Sequence, residues 1–411
     1  MVEQTERGFM IKGDGLFHQQ FELTEEYSGL KFGPELEFFV VDEGTLKPRN
    51  CLDELAGMSL FGTKVKPELA AEQIEITVGP RYSLLDIKDE LRSVMQEVQA
   101  KLESLGASLL PVALYDTEAL TITPSARYEL LIQHLGEAFH RHAPTVASDQ
   151  LNIGAENSGQ AARIFNYTRM LIPEAVAFAA ASPFRHGKPN GIASNRLDVY
   201  DAAIEKFPQL TGLPAASEEN DFFRDYAQQV EDLPVFQHPN MMYHYVRPMF
   251  HRGVAAEIRC LDKQPTLSRT MALYAFSKAF VAFMEDTERD SSLLYSPLEA
   301  ITYTSMPVIR LDGPSFYLPL KAITLRDEEE TLKALETARR KGTTLPSGQD
   351  TLLQGLRDYL EPREGNYLEY LSQHARQSDV LAQSGPIYQK DGLDAVHRSI
   401  QQAFLQDLRK D

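Results

Sequence analysis

Four short stretches of the chain alternate polar and apolar residues with a period of two. In the first, Gly33–Asp42, Glu35 and Glu37 share one face, and apolar residues fill the other. Such alternation is typical of a β-strand, because successive side chains point to opposite faces of a sheet. Proline at position 34 suits the start of a strand, since it removes no hydrogen bond that the sheet needs there. The pattern predicts a strand with one buried face and one acidic face.

Three later stretches repeat this pattern, each with an apolar face that must be covered. Their polar faces carry Gln73, Glu75 and Thr77 in the second stretch, Gln150, Asn152 and Gly154 in the third, and Glu257 and Arg259 in the fourth. Helices packed on one side of an antiparallel sheet would bury the apolar faces and leave the polar ones open. We therefore expect one open surface that carries these side chains together with Glu35 and Glu37, and we name it the polar trough.

Longer segments between these strands have the period of a helix. From Ser83 to Gly106, apolar residues recur every three or four positions, which predicts one amphipathic helix with Ser83 as its cap and Gly106 as its stop. Residues 125–142, 160–181 and 267–286 are also predicted to be helical. Further expectations are an irregular loop at 182–196, a helix at 327–341, a linker at 343–348 and two or three amphipathic helices in 350–411.

Composition narrows the class of protein. The 411 residues, with 43% hydrophobic and 24% charged residues, are enough for one large globular domain or two. A net charge of −18 argues against nonspecific binding to nucleic acid. Two cysteines make no disulfide framework, the start of the chain lacks the layout of a signal peptide, and no apolar run reaches the roughly 18 residues of a membrane span. We expect a cytoplasmic protein whose partners are small molecules, with no nucleic acid and no membrane.

Several glutamates on one surface would require compensation. Two like charges about 4 Å apart cost on the order of 4 kcal/mol at an effective dielectric near 20. Converging glutamates therefore need raised pKa values or bound cations, and Mg²⁺ commonly links a few carboxylates to nucleotide phosphates. The alternative is four unrelated, half-exposed strands, with Glu257 and Arg259 forming an ordinary surface ion pair. Periodicity alone leaves both interpretations open.

Five motifs, in the same order along the chain, link the four stretches. They lie between about residues 30 and 290. The first two are acidic strands: Gly33-Pro-Glu-Leu-Glu-Phe is similar to the pattern G-x-E-x-E-F, and residues 67–77 are similar to a second acidic strand. The other three are residues 182–196, similar to S-P-F-x-x-G-x-x-x-G-x-x-S-x-R; residues 245–248, which contain the pair R-P; and residues 257–266, similar to E-x-R-x-x-D-x-Q-P-T. Each motif is weak alone, but their order is specific. The chain resembles the second type of the glutamate–cysteine ligase family.

This resemblance implies a fold and a domain organisation. The fold would be α+β and glutamine-synthetase-like, with a curved antiparallel β-sheet that forms a funnel backed by helices. Residues 1–300 would form the catalytic domain. Residues 301–411 match no pattern of the family, and we expect them to form a mostly helical C-terminal extension packed on the same domain. A homodimer is a further possibility.

The resemblance also implies an activity. It would be an ATP-dependent carboxylate–amine ligase that forms a γ-glutamyl-type amide through an acyl phosphate, with glutamate–cysteine ligation, and so a place in glutathione biosynthesis, as one candidate. ATP and Mg²⁺ would be required, and metals and side chains would hold the nucleotide because the sequence has no P-loop. Two alternatives are a non-catalytic protein of the same fold that binds Mg-ATP or a metabolite, and a phosphotransferase acting on a guanidino compound.

Roles for individual residues follow from the resemblance. Metal ligands would be Glu35, Glu37, Glu75, Glu257 and Glu68, and the catalytic residues would be Arg259, Glu37 and Glu257. Substrate or nucleotide would contact Arg196, Arg247, Gln150, Asn152, Gln73 and Lys188. Many bacterial members have H-x-H where this chain has Gln150-Leu-Asn152, whereas plant-like members have Q-x-N. The departure leaves the specificity for the amine open.

Overall fold

The strands and helices follow the predicted order. The computed structural model describes residues 2–5, 8–11, 25–117, 119–214, 242–249, 252–289, 336, 339–340, 356–375 and 379–410. The strands are β1 (Val2–Thr5), β2 (Gly8–Ile11), β3 (Phe32–Asp42), β4 (Val65–Pro67), β5 (Gln73–Thr77), β6 (Ala107–Leu110), β7 (Asp149–Gly154), β8 (Phe184–Arg185), β9 (Lys188–Pro189), β10 (Thr211–Gly212), β11 (Tyr243–His244), β12 (Val246–Met249) and β13 (Val254–Ile258). The helices are α1 (Leu52–Leu55), α2 (Leu84–Glu103), α3 (Ala126–Leu135), α4 (Glu137–His142), α5 (Ser158–Ala179), α6 (Asn195–Ala203), α7 (Leu267–Arg289), α8 (Gly365–Ala375) and α9 (Asp379–Leu408).

One antiparallel sheet of seven strands organises the chain. Its order is β12-β13-β7-β3-β5-β4, and β6 pairs with β3. The four strands predicted to have a polar face are consecutive neighbours in this sheet, in the order β13-β7-β3-β5. They are not four unrelated strands, and the predicted α+β class with an antiparallel sheet is confirmed.

The length of β3 lets it join three partners. Its first half, Phe32–Leu36, pairs with β7, and Glu35–Phe39 pairs with β5 along the opposite edge. Its last part, Phe39–Asp42, pairs with β6. Because the β5 and β6 pairings overlap at Phe39, β6 continues along the same edge as β7. Strand β3 therefore lies at the centre of the sheet, and its glutamates lie at the centre of the polar face.

The apolar face of the sheet forms the main core, as the alternation predicted. Leu36 and Phe38 of β3 are fully buried there, together with Ile76, Leu151 and Ile258 from the neighbouring strands. Helices α2, α5 and α7 cover this face. Helix α2 begins after Ser83, whose hydroxyl accepts a hydrogen bond from the backbone of Asp86, as an N-terminal cap does.

Two predicted segments differ in detail from the structure. The helix predicted over 125–142 is divided into α3 and α4 at Gly136, where φ is +86°. Glycine adopts this conformation without the clash that a Cβ would introduce. The loop predicted at 182–196 contains a small hairpin, β8 and β9, before α6 begins at Asn195.

The C-terminal helices pack on the same core. Helix α8 lies against α7, and α9 contacts α2, α7 and β6. Leu368 of α8 and Phe404 of α9 are buried in the main cluster. Helix α9 is interrupted at Gly392, where φ is +80°. The described part of 350–411 thus contains α8 and the two halves of α9, in agreement with the two or three helices predicted there. Within the described ranges, no helix is both long and apolar enough to cross a bilayer.

Some predictions fall outside the described part of the chain. Most of the helix predicted at 327–341 and all of the linker predicted at 343–348 lie there, although residues 336 and 339–340 are helical. The division into two regions at residue 300 also falls there, and it stays a prediction.

Candidate active site

The strand register aligns the predicted site residues in rows across the polar trough. Glu37 of β3 is directly opposite Glu75 of β5, and Lys66 of β4 is opposite Glu75 on the other side. One step along β3, Glu35 is opposite Gln150 of β7. The alternation along each strand shows which side chains share a face of that strand. The register between β3 and β5 is what brings the two glutamates together.

A second row completes the surface. Asn152 of β7 is opposite Glu257 of β13, and Glu257 is opposite Arg247 of β12. Arg259 follows β13 directly and is on the same side as Glu257. Residues that are more than two hundred positions apart in sequence therefore meet on one face of one sheet.

One end of the trough is acidic. Burial raises the pKa of Glu68 well above its usual value, and the nearby charges of Glu75 and Glu37 raise it further. Burial, followed by the charges of Glu75 and Glu257, raises the pKa of Glu35 to about 8. Lys66 contacts Glu75 at 3.0 Å and partly balances this end. The carboxylates are thus held close enough to oppose one another's ionisation.

Hydrogen bonds from Gln150 of β7 and from Ser148, the residue just before β7, fix the carboxylate of Glu37. The backbone N–H and the hydroxyl of Ser148 donate to Oε2 of Glu37 at 2.6 and 2.9 Å. Nε2 of Gln150 donates to Oε1 at 2.7 Å. Burial raises the pKa of Glu37, against the opposing charges of Arg196 and Arg259. The hydrogen bonds leave this carboxylate with one defined orientation.

The other end of the trough is basic. Glu257, which is 1% exposed, accepts hydrogen bonds at 2.5 Å from Nε of Arg247 and from Nη1 of Arg259. Burial opposes ionisation of Glu257, but the two guanidinium groups outweigh it and lower its pKa to about 2. Glu257 is therefore ionised and orients both arginines.

Gln150 connects the acidic end with the basic end. Its Nε2 donates to Glu37 and to the hydroxyl of Ser148, and its Oε1 accepts from Nη1 of Arg259 at 2.8 Å. Arg259 also points Nε at the hydroxyl of Tyr200, at 3.4 Å. An amide can serve both partners because it offers two donors and one acceptor oxygen.

Arg196 enters the trough from α6. It is 2% exposed, its backbone N–H donates to the hydroxyl of Ser182, and its Nη2 donates to the carbonyl oxygen of Arg259 at 3.0 Å. The guanidinium lies 5.6 Å from the ring centre of Tyr200. Nε and Nη1 have no hydrogen-bond partner among the residues that the structure describes. Two buried donors on a cation are thus left for an anionic ligand.

The remaining predicted residues have different surroundings. Nδ2 of Asn152 donates to the carbonyl of Gly33 and to Glu35, at 3.1 and 3.2 Å. Gln73, which is buried, donates to the carbonyl of Val146 at 2.8 Å and so braces the end of the trough. Lys188 is exposed in the β8–β9 hairpin, and none of its described contacts joins it to the trough.

Three residues of the site were not among the predicted ones. Ser148 has the same alternation as Gln150 and Asn152, so extending the strand pattern by one step would have found it. Lys66 lies on β4, two positions before Glu68, and the alternation along the chain did not distinguish this short strand from β5. Tyr200 gives no sequence signal, since only the packing of α6 on the sheet brings it to Arg259.

The carboxylates do not form a closed metal cage. In the part of the chain that the structure describes, no three histidine, cysteine, aspartate or glutamate side chains stand close enough to hold one metal ion among them. Such an arrangement suits an ion that takes one or two carboxylates from the protein and its other ligands from water or phosphate, as Mg²⁺ does.

Comparison with known sequences gives a family. The model of glutamate-cysteine ligase family 2 matches residues 31–308. A protein of Solibacter usitatus is 26% identical over 261 residues, which cover 62% of this chain and 65% of that protein, slightly less than two thirds of its length. The glutamate–cysteine ligase of Natronomonas pharaonis is 25% identical over 256 residues, which cover 61% of this chain and 68% of that protein.

Solved structures share the fold at low sequence identity. The glutamate–cysteine ligase of Francisella tularensis, solved in complex with AMP, has a TM-score of 0.58 and 13% identity, covering 93% of this chain and 89% of that one. A bifunctional glutathione synthetase from Pasteurella multocida has a TM-score of 0.61 and 13% identity, covering 92% of this chain and 52% of that one. The likeness confirms the predicted fold, and since the family model matches more than half of the sequence, the chain belongs to glutamate-cysteine ligase family 2.

Proposed function

We propose that this protein is an ATP-dependent ligase that joins a carboxylate to an amine. The observation that carries the proposal is the meeting of a carboxylate cluster and a buried arginine pair on one sheet face, with Gln150 hydrogen-bonded to both ends. Phosphoryl transfer depends mainly on positioning and charge stabilisation, and this surface offers both. Membership of a ligase family supports the same activity.

Mg²⁺ fits the acidic end. One or two of the carboxylates of Glu35, Glu37, Glu68 and Glu75 would provide the oxygen donors that Mg²⁺ prefers. Burial and mutual repulsion raise the pKa values of Glu35 and Glu68, and a cation at this end would oppose both effects. When bound, the ion neutralises charge on the phosphates of ATP. Glu257, the fifth predicted ligand, belongs to the same surface, where its present partners are the two arginines.

The arginines would handle the anions of the reaction. Arg259 is fixed by Glu257 and Gln150, and its guanidinium would stabilise the phosphoryl group in transfer. Nε and Nη1 of Arg196 are buried and have no partner in the part of the chain that the structure describes, so we assign Arg196 to a substrate anion, the carboxylate of the acyl donor or a phosphate. Both side chains are held in place before the ligand arrives, which lowers the cost of ordering them.

The proposed reaction has two steps. An oxygen of the donor carboxylate attacks the γ-phosphorus of ATP, and the bond to ADP breaks, which leaves an acyl phosphate. The amine nitrogen then attacks the acyl carbon, the carbon–oxygen bond to phosphate breaks, and the nitrogen loses a proton. Arg259 meets the negative charge in both steps, because phosphate forms at the position where it was transferred.

The substrates are proposed from the family. Relatives named glutamate–cysteine ligase point to glutamate as acyl donor and cysteine as amine. The solved neighbour with AMP supports an adenine nucleotide. Gln150 and Asn152 border the trough at the position of the H-x-H motif, and we propose that Asn152, whose Oδ1 has no partner in the described residues, contributes to the choice of amine.

A coupled assay of ADP release tests the proposal. We expect release that requires Mg²⁺, glutamate and an amine together, with an amide product identified by mass spectrometry. Glu37→Gln should abolish it, and Glu54→Gln, which changes an exposed carboxylate of α1, should not. Binding of Mg-ATP without product over a broad panel of amines would instead indicate a non-catalytic protein. A phosphorylated guanidino compound with no amide would indicate a phosphotransferase.

A further inference from the structure

A buried carboxylate outside the trough organises the loop that precedes Arg196. Asp262, 1% exposed, follows β13 by four positions. Its Oδ2 accepts hydrogen bonds from the backbone N–H of Ala181 and the hydroxyl of Ser182, at 2.8 and 2.7 Å. Its Oδ1 accepts from the hydroxyl of Ser194 at 2.9 Å. Asp262 thus clamps both ends of the segment 182–194.

The clamp reaches Arg196 through one hydroxyl group. The hydroxyl of Ser182 has a single proton, and it is donated to Asp262. The oxygen of Ser182 is then free to accept, and it accepts the backbone N–H of Arg196 at 2.9 Å. The direction of both hydrogen bonds is fixed, because an ionised carboxylate can only accept and a backbone N–H can only donate. The next residue back, Asn195, adds a second tie, since its N–H and its side-chain Nδ2 both donate to the carbonyl of Ser182.

The far end of Arg196 is held separately. Its Nη2 donates to the carbonyl oxygen of Arg259 at 3.0 Å, while Nε and Nη1 stay without partners in the described chain. A buried guanidinium with two unpaired donors is unfavourable unless a ligand is bound. The surrounding structure must therefore hold it in place. The carbonyl of Arg259 and the ring of Tyr200 contact the guanidinium, and the hydroxyl of Ser182 holds the backbone N–H of the same residue.

The backbone of Asp262 also touches the acidic end of the trough. It forms a β-bridge with Ser148, the residue that donates two hydrogen bonds to Glu37. Asp262 is therefore linked to Arg196 through Ser182 and to Glu37 through Ser148.

We propose that Asp262 is a positioning residue: acting through Ser182 and Ser194, it sets the place of Arg196 so that Nε and Nη1 face the anion that this arginine binds. The inference rests on the proposed function for the identity of that anion, but the geometry of the loop does not depend on it. Asp262 itself touches no reacting atom.

A double-mutant cycle tests this role. We expect Asp262→Asn to raise the KM for the same substrate whose KM rises in Arg196→Ala, by about ten- to a hundredfold, as the loss of a charge-assisted hydrogen bond does. In the Arg196→Ala background, Asp262→Asn should then add nothing to that KM. Additive effects, or a rise in the KM of the other substrate, would overturn the proposal.

A matched control separates positioning from general loss of stability. Asp149→Asn changes another fully buried aspartate, one that faces the apolar side of the sheet and bonds Lys263, Gln264 and Thr270. Its effect should add to that of Arg196→Ala. If Asp262→Asn does not fold, Ser182→Ala removes only the hydroxyl between Asp262 and Arg196 and should give the same cycle.

Hydrogen–deuterium exchange distinguishes a failed proposal from a failed function. Peptides covering 182–196 should exchange faster in Asp262→Asn and in Ser182→Ala than in the unaltered chain, and peptides of α2 should not change. If the unaltered chain shows no turnover, the proposed function fails, and this exchange result alone decides the positioning role. Unchanged exchange at 182–196 would overturn it.

Discussion

Glu37 and Glu75 lie directly opposite each other on two adjacent antiparallel strands. Like charges in this position destabilise a sheet, and here both carboxylates sit in a largely buried surface. Glu68 is close enough for the same two charges to raise its pKa. The folded protein thus has two repelling carboxylates in the middle of its sheet, and a cation bound during function would relieve this repulsion.

The first prediction concerns this opposed pair. Glu75→Gln should lower the rate of ADP release by about a hundredfold or more, because a charge that holds the cation and its phosphates is lost. The same change should keep or raise the melting temperature of the metal-free protein, since it removes a repulsion with Glu37. The coupled assay of ADP release and thermal unfolding measure the two effects. A lowered melting temperature with normal turnover would contradict the prediction.

The second prediction is a pH dependence of stability. Burial and two neighbouring carboxylates raise the folded-state pKa of Glu35 from 4.5 to about 8. Between these values the folded state binds more protons than the unfolded state, so stability falls as pH rises through this window. We expect the melting temperature to decline over this range without Mg²⁺, and to decline less with Mg²⁺ and ATP, because a bound cation favours the ionised form.

Glu35→Gln provides the control for that experiment. The amide cannot titrate, so the decline of the melting temperature with pH should be smaller in this variant. The same slope in both proteins would assign the effect to other groups, such as Glu68, and would count against the raised pKa of Glu35.

The period of two along β3, β5, β7 and β13 predicted which side chains share a face of the sheet. It placed Leu36 and Phe38 in the core, and Glu35 and Glu37 together on the opposite face, as observed. That face is less open than predicted, since Phe39 and Val41 are buried there in a second apolar cluster. Such patterns are local, because a strand that buries one face must alternate. The motifs then predicted the antiparallel sheet and the family.

What the sequence did not predict depends on pairings between distant segments. No local feature shows that Ser148 donates to Glu37, that Arg247 shares Glu257 with Arg259, or that Asp262 holds a loop eighty residues before it. The break at Gly136 was also missed, since the apolar pattern continues on both sides of it. These features depend on strand register and on hydrogen bonds between distant side chains, which exist only in the folded chain.

The third prediction concerns the arginines that share Glu257. Arg259→Lys keeps the charge but loses the planar group that reaches Glu257 and Gln150 at the same time. We expect turnover to fall by about a hundredfold or more while the protein remains folded, since Arg247 still pairs with Glu257. Steady-state kinetics and circular dichroism measure the two outcomes. Near-normal turnover in Arg259→Lys would show that a point charge is sufficient. It would contradict the proposal that the guanidinium of Arg259 stabilises the transferred phosphoryl group.

Arg247→Ala is the matched change at the same carboxylate. Loss of the Arg247 guanidinium leaves Arg259 to pair with Glu257, so the pKa of Glu257, now about 2, should rise toward its usual value. A carboxyl with a depressed folded-state pKa stabilises the protein above its unfolded-state pKa, and that stability is lost as pH falls. We therefore expect Arg247→Ala to lose stability mainly near neutral pH and to resemble the unaltered chain more closely in acid. An equal loss at both pH values would assign the effect to packing.

The fourth prediction tests the buried ion pair behind the sheet. Nζ of Lys263 contacts Oδ1 of Asp149 at 2.6 Å, and the two residues are 1% and 0% exposed. Lys263→Met removes one partner of Asp149 and leaves its buried carboxylate with Thr270 and the backbone of Gln264 as partners in the described chain, so the free energy of unfolding should fall by about 3–5 kcal/mol. Denaturant unfolding measures it.

The compensating variant shows whether the loss comes from the uncompensated charge. Lys263→Met combined with Asp149→Asn removes both charges, and the amide oxygen of the new residue can still accept from Thr270 and Gln264. We expect the double variant to be clearly more stable than Lys263→Met alone, because a buried pair costs less to replace than to break. If the two losses simply add, the pair is not coupled, and Lys263 contributes to stability through its packing on the ring of Phe38, 4.2 Å from its centre.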